Sequence, residues 1–328
     1  MTQRQMSDSM KELQIRKNDA GQRLDRFVGK AVPLLPESLL QKYIRIKRIK
    51  LNGKGAKRDV HLNTGDVIQL YINDEFFEKP TEDNAYLKIS TPRLSTVYED
   101  ENILLADKAA GVLCHSAGEW DYDTLISNIK AYLYQKNEWK PREEHSFAPA
   151  LCNRIDRNTA GIVIAAKNAE ALRILDEKIR AREIEKKYLA VISGVMNPGE
   201  GTLTGYLFKD AKQNRVYVRQ NPEPGAKTAI TKYRTLQVRG SLSLVECKLM
   251  TGRTHQIRAQ FSAAGHPLLG DGKYGSDTAK SLGIPGQALC SHKLKFDFQT
   301  DAGILNYLTG KSFTSATPDF VEKLFNFK

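Results

Sequence analysis

The chain of 328 residues is poor in the features that mark several protein classes. Its four cysteines (Cys114, Cys152, Cys247, Cys290) lie far apart, with no C-x-x-C pair. That spacing excludes a disulfide framework and a zinc knuckle, and fits buried thiols in a reduced, cytoplasmic setting. Six histidines are sparse for a metal enzyme or a histidine-based acid–base catalyst. His255, His266 and Asp271 are neighbours in sequence, but their spacing fits no standard zinc or two-metal signature, so no metal is expected. The longest apolar runs, Ile162–Ala166 and Tyr188–Ile192, fall far short of the roughly 20 residues a spanning helix needs. The N-terminal stretch MTQRQMSDSMKELQIRKN has no apolar core, so neither a secretory signal nor a membrane partner is expected. There is no G-x-S-x-G elbow and no H-E-x-x-H, and Gly225-Ala226-Lys227-Thr228 lacks the glycines of a phosphate loop.

Positive charge, by contrast, is in excess: 50 Lys+Arg stand against 38 Asp+Glu, a net of +12. Such a balance favours a polyanionic partner. Residues 1–80 hold 16 basic and 10 acidic side chains, so the first quarter of the chain carries half the excess. From Lys42 to Arg58 there are eight basic residues and no acidic one. A merely solvated face mixes signs, and this one does not. Leu24, Phe27 and Val28 sit at helical spacing, as do Leu39, Leu40, Tyr43 and Ile44. Ile49-Lys50-Leu51 then runs into an Asn52-Gly53 turn, and Val67–Ile72 alternates as a strand. The polar stretch from Asn73 through Asn84, with Pro80 inside it, marks a break. The expected organisation is a small module over 1–80, a linker over 81–89 and a second domain over 90–328.

Gly21-Gln22-Arg23-Leu24-Asp25-Arg26-Phe27, the basic segment Arg45–Ile49, Leu51-Asn52-Gly53 and Gly65-Asp66 together resemble an S4-type RNA-binding domain. The resemblance implies that Arg23, Arg45, Lys47, Arg48 and Lys50 contact structured RNA.

Chemistry is concentrated further on. In Cys152-Asn153-Arg154-Ile155-Asp156-Arg157-Asn158-Thr159-Ala160-Gly161 a tight polar loop leads into the apolar run Ile162–Ala166. A carboxylate between Arg154 and Arg157 should stay ionised, which suits a nucleophile or an electrostatic stabiliser. An ordinary structural ion pair fits the same residues. A helix capped by Asn168 follows, with Ala171, Leu172, Leu175 and Ile179 on its apolar face. It leads into a strand, Glu185–Ile192, whose aromatic residue is Tyr188; a core tyrosine would read the same way. Strands over Thr231–Val238 and Leu242–Leu249 precede a short helix, Thr254–Phe261, with Thr254 as its cap and Gly265 ending it. Arg258 lies at the margin of that helix's buried face and needs a carboxylate partner, for which Asp156 is the natural candidate.

Taken together, NRIDRNTAG, EKKYLAVISG and TGRTHQIRAQFSAAGHPLLGDGKYG resemble the motifs of the RluA-type pseudouridine synthases, in the family's order. The likeness spans about residues 90–300, with weaker echoes at Leu105–Val112 and Ala288–His292. It implies an α+β chain whose catalytic domain has a bent, largely antiparallel mixed sheet. It also implies conversion of uridine to pseudouridine in structured RNA, ribosomal RNA foremost and transfer RNA second, by a monomer that needs no cofactor and no metal. Asp156 takes the role of the catalytic carboxylate, Tyr188 that of the residue stacked on the base, and Arg258 that of the partner holding Asp156. Arg154 matches a position that fills the space left by the flipped base, and Arg157 joins it as an RNA contact. Asn153, Ala160 and Ala109 depart from the family's usual His, Ser and Pro. Two other classes fit the residues: an RNA-binding or ribosome-assembly protein with an idle Asp156, and a nucleoside hydrolase. The basic N-terminal module argues against the second.

Overall fold

A computed structural model describes residues 10–15, 19–78, 81, 83–118, 121–141, 147–210, 212–213, 215–275, 282–284 and 286–325. Pro80, Glu82 and most of the N-terminal stretch lie outside that set. The chain divides into two compact units, Met1–Arg93 with His115–Glu138, and Leu94–Cys114 with Trp139–Lys328.

In the first unit, strands β1 (Lys11–Gln14), β2 (Ile49–Leu51), β3 (Lys54–Gly55) and β4 (Val67–Leu70) form an antiparallel sheet in the order β1-β4-β2-β3. Asn52 and Gly53 join β2 to β3 with φ of 50° and 77°, the left-handed pair that a two-residue hairpin turn requires. The Asn52 side chain then ties the hairpin to β4, accepting from the Val67 amide and donating to Asp66, both at 2.8 Å. Helices α1 (Leu24–Ala31) and α2 (Glu37–Arg45) bury Leu24, Val28, Leu40 and Ile44, which with Ile49, Ile68 and Leu70 make the apolar interior. Helix α3 (Leu125–Gln135) belongs to this unit too. A 3-10 turn over Ala85–Lys88 packs on it, with the rings of Tyr86 and Tyr134 edge to face at 5.2 Å. The stretch expected as a linker therefore contains three buried residues, Ala85, Tyr86 and Leu87, an apolar triplet between polar flanks.

The second unit holds an eleven-stranded sheet: β5 (Thr96–Glu99), β6 (Ile103–Lys108), β7 (Ala150–Leu151), β8 (Ala160–Ala166), β9 (Ile184–Ser193), β10 (Glu200–Asp210), β11 (Arg215–Arg219), β12 (Lys227–Arg239), β13 (Leu242–Leu249), β14 (Leu289–Phe296) and β15 (Ser312–Thr314). The order is β11-β10-β12-β13-β9-β14-β8-β6-β5, with β15 beside β14 and β7 beside β8. Every pairing is antiparallel except β14 with β8. The sheet is thus mixed and largely antiparallel, in an α+β chain.

Helix α4 (Ala169–Arg180) starts where the Asn168 side chain accepts the Ala171 amide at 2.8 Å. Its Ala171 and Leu175 pack with Ile103, Leu105, Ile162 and Ile164, alternate residues of β6 and β8. After α5 (Gln256–Ala263), helix α6 (Asp319–Phe325) puts Phe320, Val321 and Leu324 against Leu189, Val191 and Leu244 of β9 and β13. Among the described residues no helix is long and apolar enough to cross a membrane.

Candidate active site

Four neighbouring strands at the middle of the large sheet, β13-β9-β14-β8, carry the residues singled out in sequence. Asp156 lies in the loop that enters β8, Tyr188 lies on β9, and Arg258 lies on α5, which follows β13. The loop is set by one close approach. Gly161 pairs in parallel with Ser291 of β14 at φ +106°, and a Cβ there would stand 2.3 Å from the Ser291 carbonyl oxygen. Only glycine lets β8 and β14 meet at this point.

Lys108, at the end of β6, fixes the same loop from the other side. It is 1% exposed, and its ammonium donates to the carbonyls of Ala109, Val112 and Arg157 at 2.9, 2.8 and 2.9 Å. Burial pushes this lysine down to about 8, while the three carbonyls use all three of its donors. Arg157 also donates its Nε to the Gly111 carbonyl at 3.0 Å. It therefore braces the loop and does not flank Asp156 as an ion-pair partner.

Arg258 is that partner. Its Nη1 donates to Asp156 Oδ2 at 2.8 Å, while Nε and Nη2 form a fork on Asp271 at 2.7 and 2.9 Å. Asp271 is 1% exposed and also accepts the amides of Lys273 and Tyr274. Burial alone would raise its pKa, but the Arg258 fork and these amides hold the carboxyl below the ordinary carboxylate range. The Asp156 side chain keeps 25% of its surface open. One carboxylate anchors the guanidinium in the interior, and the other is presented to solvent.

Helix α5 begins two residues later than expected. His255, not Thr254, is its N-cap, in the left-handed region at φ 52° and without a side-chain cap bond. Its ring has other partners. The Tyr274 hydroxyl accepts the Val216 amide at 2.8 Å and meets His255 Nδ1 at 2.8 Å. On the other side of the ring, His255 Nε2 stands 3.9 Å from Asp156. Burial pushes His255 down to about 4, so its imidazole is neutral at neutral pH. The Tyr274 ring also stacks on Arg258, 5.1 Å from the guanidinium carbon.

Tyr188 is buried, and Ser291 hydrogen-bonds its hydroxyl. Burial first, and the charge of Asp156 second among the raising influences, push that hydroxyl up to about 12. Tyr188 is a neutral phenol, suited to stacking on a planar base. Asp156, Tyr188, Arg258, His255 and the exposed Arg154 all line one cleft of about 700 Å³. Asn153, in place of the usual His, accepts the Ile164 amide at 2.8 Å and closes the loop on β8.

Sequence reasoning missed Asp271, Tyr274 and Lys108. A lone acid in the turn Gly270-Asp271-Gly272 and a lone lysine closing the apolar run of β6 were the available signals. In the other unit, Arg23 is paired with Asp25 at 2.5 Å, Arg45 and Lys47 are exposed, and Arg48 and Lys50 lie over the rings of Tyr43 and Tyr71. His266, near His255 in sequence, meets the Ser193 carbonyl at 3.0 Å through its Nδ1.

Comparison with known proteins gives a consistent picture. The family model described as RNA pseudouridylate synthase matches residues 102–263. An uncharacterized RNA pseudouridine synthase of Mycoplasma genitalium is 31% identical over 286 residues, covering 85% of this chain and 87% of that protein. The ribosomal large subunit pseudouridine synthase C of Escherichia coli is 28% identical over 268 residues, covering 81% and 80%. The solved structure of human RNA pseudouridylate synthase domain containing 4 shares the fold at a TM-score of 0.55 and 21% identity, over 70% of this chain and 92% of that one. On these matches the chain belongs to the RNA pseudouridine synthase family, isomerases that convert uridine in RNA to pseudouridine.

Proposed function

We propose that this enzyme isomerises specific uridines of structured RNA, ribosomal RNA before transfer RNA, with Asp156 as the catalytic carboxylate. The observation that carries the reading is the Asp156 side chain itself. It lines the cleft with a quarter of its surface open, held by Arg258 at 2.8 Å. In the reaction the N1–C1′ bond breaks, the uracil turns, and C5 bonds to C1′; the C5 proton leaves and N1 gains one. Positive character develops at C1′ as the bond breaks, and a carboxylate fixed beside it stabilises that charge. A uridine inside a fold must be flipped out to reach the cleft. There Tyr188 stacks on the base, Arg154 occupies the vacated space, and Arg258 aims Asp156.

The preference for ribosomal RNA is supported by the large-subunit synthase of Escherichia coli among the relatives. The N-terminal unit supplies RNA affinity in the manner of an S4 domain, as an accessory to a catalytic part within residues 90–328. We place the working enzyme in the cytoplasm as a monomer. Carbodiimide primer extension on ribosomal and transfer RNA, from cells with and without the gene, tests the target. Stops missing from large-subunit ribosomal RNA in the absence of the gene are expected. Loss confined to transfer RNA would move the target, and identical maps would contradict the proposal.

A further inference from the structure

The cleft around Asp156 is lined by more positive charge than its own carboxylates use. Three carboxylates line it, and each already has a cation: Asp156 is held by Arg258, Glu185 by Lys248 and Asp297 by Lys295. Besides Arg253, whose Nε donates to the Thr228 carbonyl, Arg154, Arg180, Arg182 and Lys186 line the cleft, and none of these four has a carboxylate partner among the described residues. Three of these four lie together in sequence, at the end of α4 and the start of β9. Lys186 stands two residues before Tyr188, on the same side of the strand by its period of two. Arg182 holds φ +63° at the turn that ends α4, a conformation glycine adopts at less cost.

We infer that Arg180, Arg182 and Lys186 form a phosphate-binding row that holds the backbone of the RNA strand on its way to Asp156. Unpaired cations along a cleft that ends at a stacking tyrosine are the arrangement a single-stranded polyanion requires. Arg180 and Arg182 are exposed at the rim, and Lys186 is half-buried beside the base site. They thus offer charge both at the mouth of the cleft and inside it. Burial pushes the Lys186 ammonium below its ordinary value, a shift that an arriving phosphate reverses. The inference rests on the reading of Asp156 as the catalytic centre, because it takes the strand toward that residue.

The test uses the full-length protein and an unmodified in vitro transcript of large-subunit ribosomal RNA. Its dissociation constant is measured against salt for wild type, for Arg180→Gln/Arg182→Gln/Lys186→Gln, and for the charge-keeping Arg180→Lys/Arg182→Lys/Lys186→Arg. Every phosphate of a single strand left without its cation should flatten the slope of log K against log salt by about 0.7, so the Gln triple should lose about 2. The charge-keeping triple should retain the wild-type slope. Should the Gln triple fail to fold in a thermal melt, Lys186→Gln alone should lose about 0.7. An unchanged slope in the Gln variants, or an equal loss in the charge-keeping one, would overturn the phosphate row. Pseudouridine formation by Asp156→Asn is scored separately. If that variant turns over, the reading of the centre fails, whatever the slopes show.

Discussion

Arg258 divides its donors between an interior carboxylate and an exposed one, and the two halves should have separable consequences. Arg258→Met strands Asp271, which is buried, and should cost ~3–5 kcal/mol in denaturant melts. Adding Asp271→Asn should recover part of that loss, whereas adding Asp156→Asn should recover little, since Asp156 can find water. Equal recovery from both would mean that the two carboxylates are equivalent. The acid limb of stability follows from the same fork. Asp271 has a folded pKa below its unfolded one, so its contribution is complete above about pH 4 and disappears as pH falls through the folded value. His255 leads to a different expectation. Pushed down to about 4, it stays neutral through the physiological range, and single-turnover rates on saturating RNA should show no inflection near its ordinary value. An inflection between about pH 6 and 7 that vanishes in His255→Gln would contradict this. Asp156, Tyr188 and Arg258 were legible in the sequence because each sits in a short motif. Asp271 was not, because its distance of 2.7 Å from Arg258 is created by the turn at Gly270 and leaves no local pattern.

Among the elements, strands β8 and β9 could be read from apolar runs, since both faces of each are buried there, β12 and β13 from alternation, and helix α4 from its apolar face and the Asn168 cap. The parallel contact of β8 with β14 could not. It joins residues 130 apart in sequence through two register pairs, Cys290 with Ala160 and Ser291 with Gly161. Strand β1 escaped for another reason: Lys11-Glu12-Leu13-Gln14 is a half-exposed edge with few β-forming residues. The β8–β14 contact also constrains the loop that carries Asp156. Gly161→Ala should lower the melting temperature and reduce turnover together, because the added methyl meets Ser291 backbone that cannot move aside. Lys108→Met should do the same, because the carbonyls of Ala109, Val112 and Arg157 lose their shared charged donor, at ~1.5–3 kcal/mol for a hydrogen bond to a charged group. Either variant at wild-type stability would show that the loop is held by something else.

Over the whole molecule, positive charge is placed in two bodies. The run from Lys42 to Arg58 belongs to the small unit, and the unpaired cations of the cleft belong to the large one. Replacing Arg45, Lys47, Arg48 and Lys50 with Gln should weaken RNA binding and flatten its salt slope by about 0.7–0.9 for each phosphate no longer neutralised, while turnover on saturating RNA persists in part. Unchanged affinity would reduce that run to a solvated face. Net charge and periodicity led to an expected division at 81–89 and gave no sign that α3, far along the chain, belongs to the first unit. The central claim is that one carboxylate does the chemistry, and Asp156→Asn tests it most directly. Wild type and variant, matched for thermal melt and RNA affinity, are incubated with unmodified large-subunit ribosomal RNA, and pseudouridine is counted by carbodiimide primer extension. The expected result is a folded, RNA-binding variant that forms no pseudouridine. Turnover within tenfold of wild type would contradict it.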